Sequence, residues 1–311
     1  LARRLRGEAP PPPPPPPPPA RPPPPPRAGP SGGGEDPRRA IAKVKAEMPA
    51  DAAKLLFGGA KAPAPLAARS IGAYSRGCLA GAVALPVNGA TWQVMRLSRN
   101  RNWGHPRLVA FLERFADKGK SVGWPGLLVG DLSQPRGGPM ITGHASHQIG
   151  LDADIWFLPM PGKELSRAER ETLSAVSMVN MKTREIDASV WTPTRTALVR
   201  QAALDEDVAR IFVNPAIKKV MCDTAKGDRG WLAKVRPWYG HNYHFHVRLA
   251  CPPGVADCKD QAPVTDGDGC DADLAWWLGP EPWKPSPPEK PRPPLKLADL
   301  PAACSQVLVA E

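Results

Sequence analysis

The chain has no apolar run of eighteen residues, no Cys-x-x-Cys pair, no His-Glu-x-x-His motif and no internal repeat. The first absence argues against a membrane-spanning helix, which needs about twenty mostly apolar residues in a row. The second speaks against a cysteine-based zinc knuckle. The third removes the helix-borne glutamate that acts as base in many zinc peptidases. A regular βαβ alternation is missing as well. Mixed strands and helices without it predict an α+β domain around a mainly antiparallel sheet, with flanking helices and long loops. The chain starts at Leu1 without the basic-then-apolar beginning of a signal peptide. The expectation is that a leader has been removed or that the reading frame begins upstream. The apolar stretch Cys78–Val87 lies too far inside to serve as a leader and reads as a buried strand or loop.

Proline is abundant but unevenly spread. It runs unbroken from Pro10 to Pro19 and from Pro22 to Pro26. Such a run cannot donate backbone hydrogen bonds and buries nothing, which predicts an extended polyproline segment. Residues 1–50 are therefore read as a disordered, proline-rich arm, either a spacer or a dispensable tail. Residues 51–311 are read as one folded domain, with the proline-rich stretch Pro280–Pro294 expected to run extended over its surface until Cys304 ties it down. The formal net charge is +11. Residues 1–39, with seven Arg against three acids, supply +4 of it. A basic body suits an anionic partner, whether nucleic acid, membrane surface or acidic wall polymer. Six cysteines with no zinc-type spacing predict three disulfides and an oxidising compartment such as the periplasm. Cys251 and Cys258 close a small loop and are the first pair expected. For the others the pairing taken is Cys222 with Cys270 and Cys78 with Cys304, which spacing alone does not force.

Local patterns place the elements. A short helical stretch is expected over Ala40–Met48, and the folded body begins near Ile71 with alternating or apolar runs at Ala80–Val87 and Gln93–Leu97. Pro106 opens a helix to about Lys118, since proline is tolerated in a first turn. Leu108, Phe111, Leu112 and Phe115 share one face of it. Leu127–Asp131, Asp154–Phe157 and Arg210–Val213 read as strands, and Arg167–Met178, Thr194–Asp205 and Asn214–Asp223 as helices. His244–Leu249 has the period-2 pattern of a strand.

Five of the six histidines fall in two short clusters about a hundred residues apart, His144/His147 and His241/His244/His246. Gly143–Phe157 reads G-H-A-S-H-Q-I-G-L-D-A-D-I-W-F. Imidazole and carboxylate are zinc ligands, and a catalytic zinc takes three protein ligands plus water. His147 and Asp154 supply two if the chain bends back at Gly150, where a residue lacking Cβ turns most easily. The third comes from the second cluster. On a strand His244 and His246 share one face, with Phe245 and Val247 on the core side. One of the two can bind metal while the other reaches its water. Asp152 stands beside Asp154 in the same relation and orients a ligand imidazole, or replaces Asp154 if this segment is not extended. With no glutamate base, His244 and His241 are the candidate proton carriers, since an imidazole pKa near 6.5 suits transfer at neutral pH. His144 is balanced between site and bystander, and His105 reads as structural or substrate-lining. Trp103, Trp156 and Trp238 could wall a groove, though core packing is the simpler reading of each.

His147-x6-Asp154 with His244-x-His246 resembles the signature of the lysostaphin, D-Ala-D-Ala peptidase and hedgehog-like metallopeptidase group. Longer stretches resemble the penicillin-insensitive murein endopeptidases. These are S-R-N-R-N-W-G-H-P (Ser98–Pro106), G-H-A-S-H-Q-x-G-L-D-x-D, R-I-F-V-N-P-A-I-K (Arg210–Lys218) and K-V-R-P-W-Y-G-H-x-x-H-F-H-V-R-L-x-C-P. The likeness covers about Ala53 to the C-terminus. It implies zinc-dependent cleavage of the D-alanyl–diaminopimelyl cross-link of peptidoglycan in a Gram-negative periplasm. By matching position it implies that His147, Asp154 and His246 hold Zn2+, that His241 and His244 are catalytic, and that His144 lines the site or holds a second metal. It also favours the disulfide pairing given above. Without a serine nucleophile, β-lactams have nothing to acylate. Two rivals stand beside this reading. One is an inactive relative that binds peptidoglycan or a regulatory partner through the same groove. The other is a nucleic-acid-binding protein, which has only the charge in its favour and no reading motif.

Overall fold

The computed structural model of the chain describes residues 37–264, 266–284 and 293–311. The polyproline runs of the arm lie outside the described residues. So does most of the tail expected to run extended; its described start instead forms a 3-10 turn at Glu281–Trp283. A helix at Pro37–Ala46 lies close to the helical stretch expected there.

The core is a seven-stranded sheet. Its strands in chain order are β1 (Asn88–Gly89), β2 (Trp92–Val94), β3 (Leu127–Val129), β4 (Asp152–Trp156), β5 (Val208–Val213), β6 (Val235–Pro237) and β7 (His244–Leu249). Across the sheet they run β6-β5-β7-β4-β3-β2-β1. The pairs β5/β6 and β2/β3 are parallel and the other four antiparallel. The fold is α+β with a mainly antiparallel sheet, and three disulfides brace it.

Strand periodicity sorts the side chains of the two central strands. Phe245, Val247 and Leu249 of β7, with Ala153 and Ile155 of β4, enter the main hydrophobic core. His244, His246, Asp152 and Asp154 are therefore left on the opposite face. Behind the sheet lies α1 (Pro106–Lys120), whose Leu108, Phe111, Leu112 and Phe115 are all at most 1% exposed. Phe115 meets Phe245 edge-on at 6.3 Å, and Phe157 packs on Phe245 at 5.2 Å. His105 caps α1, its Nδ1 accepting from Arg107 N, which is a structural role. Two further helices flank the sheet, α2 (Pro193–Ala203) and α3 (Pro215–Thr224). The latter is capped by Asn214, whose side chain accepts from Ala216 N.

Several expected elements are shorter than the sequence pattern suggests; the strand expected over Leu127–Asp131, for one, stops at Val129. The helix expected over Arg167–Met178 ends at Thr172, because the Arg96 guanidinium takes the carbonyls of Arg170 and Leu173. Met178 then turns to donate its amide to Asn242 O. Ala80–Val87 does not form one strand; Gly81, at φ +56°, breaks it, and only Val83–Ala84 pairs with Trp103–Gly104. Gln93–Leu97 stops at Val94, and the chain passes into a 3-10 turn at Leu97–Arg99.

The disulfides are Cys78–Cys304, Cys222–Cys270 and Cys251–Cys258, the pairing taken from the sequence. The first ties the helix Ala303–Val309 onto a three-stranded sheet of Arg69–Ala73, Arg76–Ala80 and Cys258–Lys259. Phe57, Ile71, Leu300 and Val307 fill a second small core there.

Candidate metal centre

The bend expected at Gly150 is present, at φ +71°. A Cβ there would lie 2.4 Å from Leu79 Cδ2 and 2.9 Å from His105 N, so the position also needs glycine for space. His147 takes φ +66°, a region non-glycine residues seldom adopt. The loop is held by Asp152 Oδ2, which accepts the His147 amide at 3.0 Å. It returns the chain so that Asp154 lies directly opposite His246 across the β4/β7 ladder.

Five histidines meet here. Ring centroids are 4.2 Å apart for His144/His147, 4.5 Å for His147/His246, 4.9 Å for His241/His244 and 5.9 Å for His241/His246. Four of the rings lean on an acceptor that carries no proton, which decides their tautomers. His147 Nδ1 donates to Leu132 O at 2.7 Å, His246 Nε2 to Asp152 Oδ1 at 2.7 Å, His144 Nε2 to Asp131 Oδ2 at 2.9 Å, and His241 Nδ1 to Tyr239 O at 2.6 Å. In its neutral form each ring then keeps its lone pair on the other nitrogen. For three of them that nitrogen faces Asp154. His147 Nε2 is 3.4 Å from Asp154 Oδ1, His246 Nδ1 is 3.6 Å from the same oxygen, and His144 Nδ1 is 3.5 Å from Oδ2. His147 Nε2 and Asp154 Oδ1 are buried without a hydrogen-bond partner. Such orphaned atoms are costly in a folded protein unless something else satisfies them. His144, His147 and Asp154 each offer an atom within 4.8 Å of the others, a group that could hold a metal ion.

Asp152 is occupied otherwise. Besides the His147 amide and His246 it takes Arg248 Nε at 2.7 Å, and it is fully buried. Burial alone would raise its pKa, but Arg248 and His246 hold it well below the ordinary carboxylate range. Asp154 is likewise held low against burial, by His244, His144 and His147. Burial lowers the pKa of His246, to about 4, and that of His244, so both are neutral at pH 7. His147 departs from this pattern. Burial opposes its charge, yet Asp154 beside it raises the pKa overall, so a proton and a cation compete for its Nε2.

A cavity of about 140 Å³ opens onto this cluster, lined by Arg99, Asp131, His144, Asp154, Tyr243 and His244 among others. Trp156 also lines it, under the Arg96 guanidinium at 5.0 Å, while Trp238 packs on Phe212 and Trp277. Asp131, Arg248, Arg99 and Tyr243 were not singled out from sequence. Asp131 closes the apolar run Leu127-Leu-Val-Gly-Asp131, and a lone carboxylate there was the available signal. A larger groove of about 560 Å³ lies between the Val179–Ile186 hairpin and α3, and none of the histidines lines it.

The family model for penicillin-insensitive murein endopeptidase matches residues 70–309. The chain belongs to the penicillin-insensitive murein endopeptidase family. It is an enzyme. Relatives bearing that family name include one from Haemophilus influenzae, 46% identical over 241 residues, which cover 78% of this chain and 82% of the relative. One from Klebsiella pneumoniae is 45% identical over 243 residues (78% and 86%), and one from Salmonella heidelberg 45% over 248 residues (79% and 88%). The family match begins later than the Ala53 taken from sequence motifs, leaving the helix Ala53–Gly59 outside it.

Proposed function

We propose that the chain is a zinc-dependent endopeptidase that hydrolyses the D-alanyl–diaminopimelyl cross-links of peptidoglycan in the periplasm. The observation that carries the metal is the convergence of imidazole lone pairs on Asp154, with two orphaned atoms at its centre. His147 Nε2, Asp154 Oδ1 and His246 Nδ1 are the proposed ligands, a nitrogen and oxygen set that suits zinc. His144 Nδ1 is an additional donor at its edge. Zinc there would supply Lewis acidity toward an amide carbonyl and bring the pKa of water toward about 7.

The rest of the reaction falls to the chain. Water adds to the D-alanyl carbonyl carbon, the amide C–N bond breaks, and the water's proton must end on the departing amine. His244 carries it at Nε2, which lies 3.6 Å from Asp154 Oδ1. Burial keeps this ring neutral at pH 7, the state a base needs. His241, 4.9 Å away and also neutral, is the second proposed proton carrier. The family and its relatives' names support peptidoglycan as substrate. The three disulfides fit an oxidising compartment. Digestion of purified cross-linked murein dimers tests this. Monomers should appear, stop appearing with chelator or in His246→Ala, and return to the chelated wild type with zinc. Intact dimers beside zinc-loaded, murein-binding protein would instead point to an inactive binding protein.

A further inference from the structure

The turn Leu97–Arg99 carries backbone strain. Arg96 and Asn100 on either side of it take φ of 57° and 51°, a left-handed conformation that asparagine adopts readily but arginine holds only where its surroundings enforce it. The surroundings do so group by group. Arg96 donates to Arg170 O and Leu173 O at 2.7 Å each. Glu171 accepts from the amide and hydroxyl of Ser98 at 2.7 and 2.8 Å. Asn100 donates to Lys61 O at 3.3 Å and accepts from Trp103 Nε1 at 2.8 Å.

Arg99 is the side chain this arrangement leaves over. It lines the cavity that holds Asp154 and His244. Its Nη1 donates to Asp131 Oδ2 at 3.0 Å, and its side chain remains 48% exposed. Asp131 has no need of it, being held already by Arg101 at 2.8 Å and His144 at 2.9 Å. The Arg99 end of the pair is half exposed although Asp131 is buried, and solvent screening there limits what Arg99 adds to stability, so folding does not account for a strained turn that presents it. Two guanidinium groups on one carboxylate leave a positive excess around Asp131. A guanidinium carries five N–H donors in a planar fork matched to a carboxylate. Among the described residues, one of the five is engaged.

We propose that Arg99 is a specificity-determining residue that binds the carboxylate on the carbon attached to the scissile nitrogen. This rests on the cross-link reading above. In a D-alanyl–diaminopimelyl bond the departing amine sits on the carbon that bears a diaminopimelate carboxylate. Gripping that group places the scissile amide over Asp154 and His244 and rejects stems in which the carboxylate is capped.

Two purified murein dimers decide it, one with that carboxylate free and one with it converted to the amide. Each is assayed with wild type, Arg99→Gln and Arg99→Lys. Wild type should prefer the free carboxylate by about 10–100-fold in kcat/KM, the worth of a charged hydrogen-bonded contact. Arg99→Gln should lose that preference, mostly through KM, and Arg99→Lys should recover part of it. Retained discrimination in Arg99→Gln, or no discrimination by wild type, overturns the proposal. If wild type cuts neither dimer, the cross-link reading fails and this inference falls with it.

Discussion

At the residue scale, the site is governed by what stands behind the histidines. A carbonyl or carboxylate fixes the tautomers of His147, His246 and His144, so their lone pairs are aimed before any cation arrives. Asp152 and Asp154 divide the work, one taking three donors and the other keeping an unpartnered oxygen. Asp152→Asn should therefore weaken zinc binding by about 10–100-fold, as loss of an orienting partner does, whereas Asp154→Asn should abolish it. Equal zinc contents in the two variants would remove the distinction. Asp152→Asn should also cost about 3–5 kcal/mol in stability, because Arg248 stays buried without its partner. The sign with pH follows. The folded pKa of Asp152 is depressed, so its stabilisation is complete above the ordinary carboxylate value of about 4 and is lost as pH falls below it. Thermal unfolding with chelator present should show wild type weakening on acidification and the variant responding less. His147 acts in the opposite sense. Asp154 raises its pKa, so protons displace metal as pH drops, and zinc titrations should show affinity falling on acidification.

At the element scale, the β4/β7 pair is the part on which the site depends. Alternation sends Phe245 and Val247 into the core and His244 and His246 to the cleft, so packing behind the sheet sets the height of the two histidines in front. Phe245→Ala should cost about 3–5 kcal/mol. The bend joining His147 to β4 is equally exacting. Gly150→Ala puts a Cβ against Leu79 and the His105 backbone at a positive φ. It should lower the unfolding temperature and weaken zinc binding together, since His147 moves relative to Asp154. Unchanged zinc affinity in a destabilised variant would show that the bend serves folding alone.

At the scale of the whole molecule, the disulfides differ in reach. Cys78–Cys304 joins residues 226 positions apart and fastens the C-terminal helix, whereas Cys251–Cys258 spans seven. Replacing the first pair by serine should cost about 2–5 kcal/mol, and replacing the second should cost less, because a shorter loop restrains the unfolded chain less. Comparing chemical denaturation midpoints of the two variants checks this. Both should keep zinc, since neither bridge touches the histidine cluster.

What the sequence determined by itself was whatever depends on neighbours along the chain. Asp152/Asp154 and His244/His246 could be read as two same-face pairs because strand alternation is local, and Gly150 as the bend because only glycine turns there freely. The small Cys251–Cys258 loop and the apolar face of α1 were legible for the same reason. The tertiary structure decided what required distant segments to meet. Asp131 joins His144 to two arginines, Arg248 secures Asp152, and Arg96 ends a helix that periodicity would have continued to Met178. None of these has a signature in spacing. A hydrogen bond between side chains from separate elements exists only once the sheet has brought those elements together, and here those bonds aim the lone pairs.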